Sequence, residues 1–159
     1  MGLATVRGRF SRYRISVDFD SATVASSRVT AVIDAASIDT DNERRDTDLK
    51  SENYLDVAKF PEIQFASTKV EAVAPTRWRI GGNLTIKGVT KPTILEVTFH
   101  GMATAPSSGA KIAAFGAAAT INRRDYGVTF NRVVEGLQVV ADEVFLTIDV
   151  EARWRPPAK

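Results

Sequence analysis

Apolar and polar side chains alternate with a period of two in one segment after another, from Tyr13 to Val150, and nothing else confines the fold as tightly. A period of two sends successive side chains to opposite faces of an extended strand, so each run is a strand with one apolar face. Tyr13, Ile15, Val17 and Phe19 form the first run, and Val29, Ala31, Ile33 and Ala35 the second. Ile63 and Phe65 follow, then Trp78, Ile80, Leu84 and Ile86, then Thr93, Leu95, Val97 and Phe99. Ala113, Phe115, Ala117 and Ala119 make the next run, and Val144, Leu146, Ile148 and Val150 the last. One-faced strands must bury those faces together, which predicts an all-β fold, either a two-sheet sandwich or a barrel.

The punctuation is turn chemistry: Asp20-Ser21, Lys87 to Pro92, Pro106 to Gly109 and Glu135-Gly136. Such short connections favour antiparallel, up-and-down neighbours. Propensity leaves sandwich and barrel nearly level, and the Gly81-Gly82 pair within a strand, a sign of sharp coiling or close backbone approach, leans toward the barrel. Only Asn42 to Ala58 breaks the alternation; it predicts one short helix ending before Phe60-Pro61. With 159 residues, no internal repeat and no linker, residues 1–159 read as a single domain.

Composition removes several function classes. The chain has no cysteine, so disulfides, thiol catalysis and thiolate metal sites are out. Its 21 Lys+Arg against 19 Asp+Glu leave a net charge of +2, which gives nucleic acid nothing to follow. No segment approaches the roughly 20 apolar residues of a membrane-spanning helix. The first ten residues carry no apolar run of signal-peptide length, so the expectation is a cytoplasmic protein as given, periplasmic or secreted if the N-terminus has been trimmed. The single histidine, His100, reads as an exposed strand-end residue beside Gly101. Asp39, Asp41, Glu43 and Asp46 follow neither the spacing nor the glycine position of a calcium loop, and no metal or cofactor is expected. No phosphate loop and no nucleophile elbow is present, which argues against an enzyme.

Two charged clusters remain. One runs from Ile38 to Ser51 with Arg44, Arg45 and Asp46 at its centre; the other is Ile121-Asn-Arg-Arg-Asp-Tyr-Gly127, a tight turn with Arg123 and Arg124. An arginine in either could hold a phosphate or carboxylate headgroup through paired donors, but structural Arg–carboxylate networks are commoner and are the first expectation. On the apolar side, Phe10, Phe65, Trp78, Phe99 and Phe115 could fill a solid core. Ala113, Ala114, Ala117, Ala118 and Ala119 offer little volume on either face of their strand, so the wall there leaves interior space, enough in a barrel of about eight strands for one slender ligand.

Six stretches together resemble the YceI-like, polyisoprenoid-binding family. They are Val6-Arg-Gly-Arg-Phe10, Ser37-Ile-Asp-Thr40, Arg45-Asp46 with Leu49 to Ser51, Phe60 to Thr68, Gly82 to Pro92, and Ile121 to Gly127. The resemblance implies an eight-stranded, antiparallel, lipocalin-like barrel with a short helix, whose apolar interior takes a polyisoprenoid, an isoprenoid quinone or another long amphiphile. It implies no reaction. Arg45, Asp46 and Arg123 match family positions, while Asp48 stands where a histidine is common. Against the family pattern, a first strand before Met1 is missing: either this start site is internal, or the barrel's open seam is closed by a partner chain, such as a second copy in a homodimer, or by rearrangement.

The resulting expectation is a carrier or store for a long-chain isoprenoid or fatty-acyl ligand. Its tail would pack on Ile15, Ile63, Phe65, Trp78, Ile80, Leu95, Phe99, Phe115, Leu146 and Ile148, with Arg45, Asp46 and Arg123 as polar members of the site. The alternatives are an enzyme acting on a lipid-like substrate, with Asp46 or Asp125 as acid or base, and a protein-interaction module using the open seam.

Overall fold

The computed structural model of the chain describes residues 5–20, 22–134 and 137–154. Its centre is one sheet of seven strands: β2 (Tyr13–Asp18), β3 (Arg28–Asp34), β5 (Glu62–Ala74), β6 (Arg77–Ile86), β7 (Val89–Thr104), β8 (Lys111–Asn122) and β11 (Glu143–Arg153). They lie in the order β11-β8-β7-β6-β5-β3-β2, and every neighbouring pair is antiparallel. The sheet curls into a nearly closed barrel. Two short ladders flank it, β1 (Arg9–Phe10) with β4 (Ile38–Asp39) and β9 (Val133–Val134) with β10 (Leu137–Gln138). The one α-helix, α1 (Glu43–Lys50), falls inside the segment that lacks alternation.

Strand parity sets the geometry of the seam. Seven strands that alternate in direction leave the two edge strands, β2 and β11, running parallel to each other, and no ladder joins them among the described residues. A single strand running opposite to both would complete an even-numbered up-and-down barrel without an edge.

The glycine pair in β6 has a steric cause. Gly82 faces inward beneath the Phe65 ring, and a Cβ there would sit 2.4 Å from Phe65 Cζ and 2.5 Å from the Ala66 carbonyl. Opposite the pair, β5 carries a register shift between Ser67 and Lys69 that bends the strand around the barrel. The β6–β7 connection is shorter than the turn the sequence suggested, because Val89 to Pro92 already pair with Ile86 to Asn83. The turn is Lys87-Gly88 alone, with φ of 50° and 74°, the double-positive geometry that matches the twist of a two-residue hairpin. His100 is also displaced from the expected strand end: β7 continues to Thr104, and His100 lies at the register shift between Phe99 and Gly101, exposed on the outer face. The turn expected at Glu135-Gly136 falls outside the described residues.

Helix α1 stays on the surface, with none of its residues fully buried. Asn42 caps it by accepting a hydrogen bond from the Arg45 amide at 3.0 Å, and Glu43 in the first turn and Lys50 in the last suit the helix dipole. Beyond it, Leu55 and Val57 pack on the barrel core.

Candidate functional site

All ten apolar candidates lie on the inner face of the barrel, because each occupies the inward phase of its strand. Their burial separates by position in the sheet. Ile63, Phe65, Trp78, Ile80, Leu95 and Phe115, on β5 to β8, are buried. Ile15 on β2 and Leu146 and Ile148 on β11 are only half-buried, and Phe99 is likewise. Their inward neighbours Val17, Val29, Ala31, Ala117, Ala119 and Val150 share that state, so an apolar trough lies open along the seam.

The interior has two unlike ends. Phe19, Trp78, Phe99 and Phe115 form a four-ring cluster at one, every pair with centroids 5.2 to 6.2 Å apart, and Trp78 and Phe99 stack at an interplanar angle of 18°. Phe19 was visible in the alternation but not singled out, since nothing in a strand's sequence says that its last inward residue meets three other strands. At the other end sit Ile86, Val89, Ala35 and Tyr126. From Trp78 to Ile86 is eight residues of one strand, about 26 Å at the usual rise. Ala113, Ala117 and Ala119 face inward on β8, whereas Ala114 and Ala118 pair with Gly101 and Glu96 on the outer phase, so three alanines rather than five thin the wall.

The polar candidates do not join into one site. Arg45 donates through Nε to the Thr40 hydroxyl at 2.8 Å and through Nη2 to the Thr40 carbonyl at 2.7 Å. Asp46 accepts from the Thr40 amide at 2.9 Å and from its hydroxyl. The pair thus ties α1 to the buried Thr40 at the end of β4. Arg123 is buried elsewhere, in the turn Arg123–Tyr126, and donates to the carbonyls of Val128 (2.6 Å), Phe130 (2.9 Å), Ala141 (2.9 Å) and Val140 (3.4 Å) and to Asp142 (3.1 Å). Arg124 shares that carboxylate at 2.8 Å, and its hydrogen bond is the main reason the Asp142 carboxyl is held below the ordinary carboxylate range. No hydrogen bond or ion pair joins Arg123 to Arg45 or Asp46 among the described residues; the two regions meet at Arg132 Nη2 and Asp48 Oδ2, 3.4 Å apart. Sequence reasoning passed over Asp142 and Arg132, which lie far along the chain from their partners and belong to no motif.

Among the described residues no group of three or more His, Asp or Glu side chains is placed to hold a metal ion. No helix among them is long and apolar enough to cross a membrane.

A YceI-like domain matches residues 1–152. The chain belongs to the YceI-like family. Family members are known for a polyisoprenoid-binding fold. A UPF0312 protein of Pseudomonas savastanoi pv. phaseolicola is 34% identical over 128 residues, 80% of this chain but only 66% of that protein's length. The crystal structure of the Campylobacter jejuni YceI protein superposes with a TM-score of 0.87 at 27% identity, covering 98% of this chain and 89% of that one. Burkholderia cenocepacia BcnA shares the fold, with a TM-score of 0.79 at 22% identity over 91% of this chain and 86% of its own. A YceI barrel in this chain is therefore shown by sequence and by shape.

Proposed function

We propose that this YceI-like chain binds one long-chain amphiphile of the polyisoprenoid or isoprenoid-quinone type inside the barrel, carrying or storing it without chemical change. The observation that supports the reading is the continuous apolar inner face, sealed in the centre and half-open along the seam between β2 and β11. Covering about 700 Å2 of apolar ligand and wall yields about 17 kcal/mol gross. Association and ordering take about 4–15 kcal/mol of that, and a net of about 8 kcal/mol corresponds to a micromolar complex. Shape and area therefore carry the affinity, with polar contacts serving orientation. The test is uptake of a polyprenol by the purified chain, followed by native mass spectrometry; a stoichiometric adduct supports the reading, and an unchanged apo mass with excess lipid counts against it.

Strand parity favours a second reading. A groove bounded by two parallel edges that no ladder joins among the described residues accepts one extended segment antiparallel to both, the geometry of strand addition. On that reading the occupant is a protein segment, a second copy of this chain included, and a concentration-dependent mass in light scattering would favour it over the lipid.

A further inference from the structure

A cleft of about 290 Å3 lies beside α1, walled by Arg44 and Arg45 of the helix, Arg132 of the segment that follows the Arg123 turn, Asp48, Asn42 and Tyr54. It is chemically unlike the barrel interior. Three guanidinium groups face one carboxylate, a local balance of +2 (three Arg less Asp48), and hydrogen-bonding capacity is left over. Arg44 has no hydrogen-bond or ion-pair partner among the described residues, and the Tyr54 hydroxyl has none either. Arg45 directs Nε and Nη2 at Thr40, and its Nη1 has no hydrogen-bond partner among the described residues. Arg132 meets Asp48 only at 3.4 Å, the longest of the ion pairs in the chain's described residues. Of the two acidic side chains in the first turn, Asp46 is turned away to Thr40, and Glu43 is exposed and does not line the cleft.

The backbone that carries Arg132 and the Tyr54 ring are held in place before anything binds. Arg132 accepts at its carbonyl from the Val139 amide at 3.1 Å, and Asn131 beside it clamps Val140 through both side-chain atoms, at 2.7 and 3.0 Å. The Tyr54 ring is fixed edge-on against Phe130, with centroids 5.5 Å apart at 75°. Planar guanidiniums from two separate chain segments, converging on a small volume with spare donors and a fixed phenol, suit a tetrahedral oxyanion that takes paired N–H donors.

We infer that this cleft is a phosphate-binding site, filled either by free phosphate or by the phosphate headgroup of an amphiphile whose tail lies in the barrel. Tyr54 adjoins Leu55 and precedes Val57, both packed on the barrel core, so a headgroup here would lie beside that core. The headgroup source rests on the lipid-binding reading; the anion site itself does not.

The test titrates the folded chain with inorganic phosphate, with farnesyl monophosphate and with farnesol, and repeats each on Arg44→Gln and Arg132→Gln. Both side chains are exposed, so the variants fold. The site predicts phosphate binding weakened roughly tenfold or more in either variant and falling with added salt. Farnesyl monophosphate binding far more tightly than both farnesol and phosphate, and losing that advantage in the variants, assigns the headgroup source. Phosphate binding with no gain from the farnesyl tail assigns the free ion. No phosphate binding, or equal binding by wild type and both variants, overturns the site. Farnesol uptake, read separately, reports on the barrel whichever way the anion result falls.

Discussion

Replacing Arg123 by methionine keeps most of the side-chain volume and removes every donor from one of the few buried polar residues in the molecule. The guanidinium closes the segment from Val128 to Asp142 onto the end of β8, so its loss strands carbonyls rather than simply deleting a charge. Of the four carbonyls it serves, those of Val128, Phe130 and Ala141 lie within 2.9 Å. At about 1–2 kcal/mol for each acceptor left without a partner, the cost is about 3–6 kcal/mol. Nothing is added for Asp142, whose carboxylate is open to water. For a domain of this size that corresponds to a fall in Tm of about 6–24 °C. Calorimetry and urea unfolding followed by circular dichroism measure it, with Arg77→Gln as the control: Arg77 is exposed and has no partner among the described residues, and its loss should stay within about 0.5 kcal/mol. A loss below about 1 kcal/mol for Arg123→Met would refute the idea that this arginine is the lock of the segment. It would return Arg123 to the list of groups free to meet a ligand.

Three further outcomes follow from the same geometry. Phe115→Glu places a charge on the inner face and should abolish polyprenol uptake, while Arg77→Glu on the outer phase should leave it unchanged; equal effects in a lipid-binding assay would undo the assignment of faces. Gly82→Ala forces a methyl into the Phe65 ring and the Ala66 carbonyl and should cost about 1–3 kcal/mol in urea unfolding, whereas the same change at the neighbouring Gly81, where the nearest atom is 3.9 Å away, should be far milder. Asp142 and Asp34 have lowered carboxyl pKa values, chiefly through their hydrogen bonds to Arg124 and Arg12. A carboxyl whose folded pKa lies below its unfolded value stabilises the fold above the unfolded pKa and loses that contribution as pH falls through the folded one. Stability should therefore drop below about pH 4, and the drop should be shallower in Arg124→Gln; an identical acid profile would contradict the pairing.

The barrel was legible because its strands are one-sided: a period of two in β2, β3, β6, β7, β8 and β11 names the inward residues without reference to any partner. The helix was legible by default, as the stretch around Glu43 to Lys50 where alternation stops. Gly81-Gly82 announced a close approach, and Gly82 beneath Phe65 is that approach. What could not be read was whatever depends on which strands become neighbours. The packing of Phe19 on Trp78, Phe99 and Phe115 requires the curl of the whole sheet. Arg123 serves carbonyls whose side chains carry no signal, and a carbonyl acceptor leaves no trace in sequence. The cleft beside α1 joins Arg44 and Arg132 across much of the chain's length, marked by the long Arg132–Asp48 contact and the Tyr54–Phe130 ring pair. The length of β7 was missed for a local reason: Pro92 reads as a strand breaker, yet it pairs opposite Asn83 within the ladder.

The most direct test of the proposed function is native mass spectrometry of the chain purified without detergent, before and after incubation with a polyprenol, with extraction and identification of anything released. The account predicts one lipid per chain, lost in Phe115→Glu. A clean apo mass that excess polyprenol leaves unaltered would contradict it and shift the function of the open seam from lipid to a protein segment.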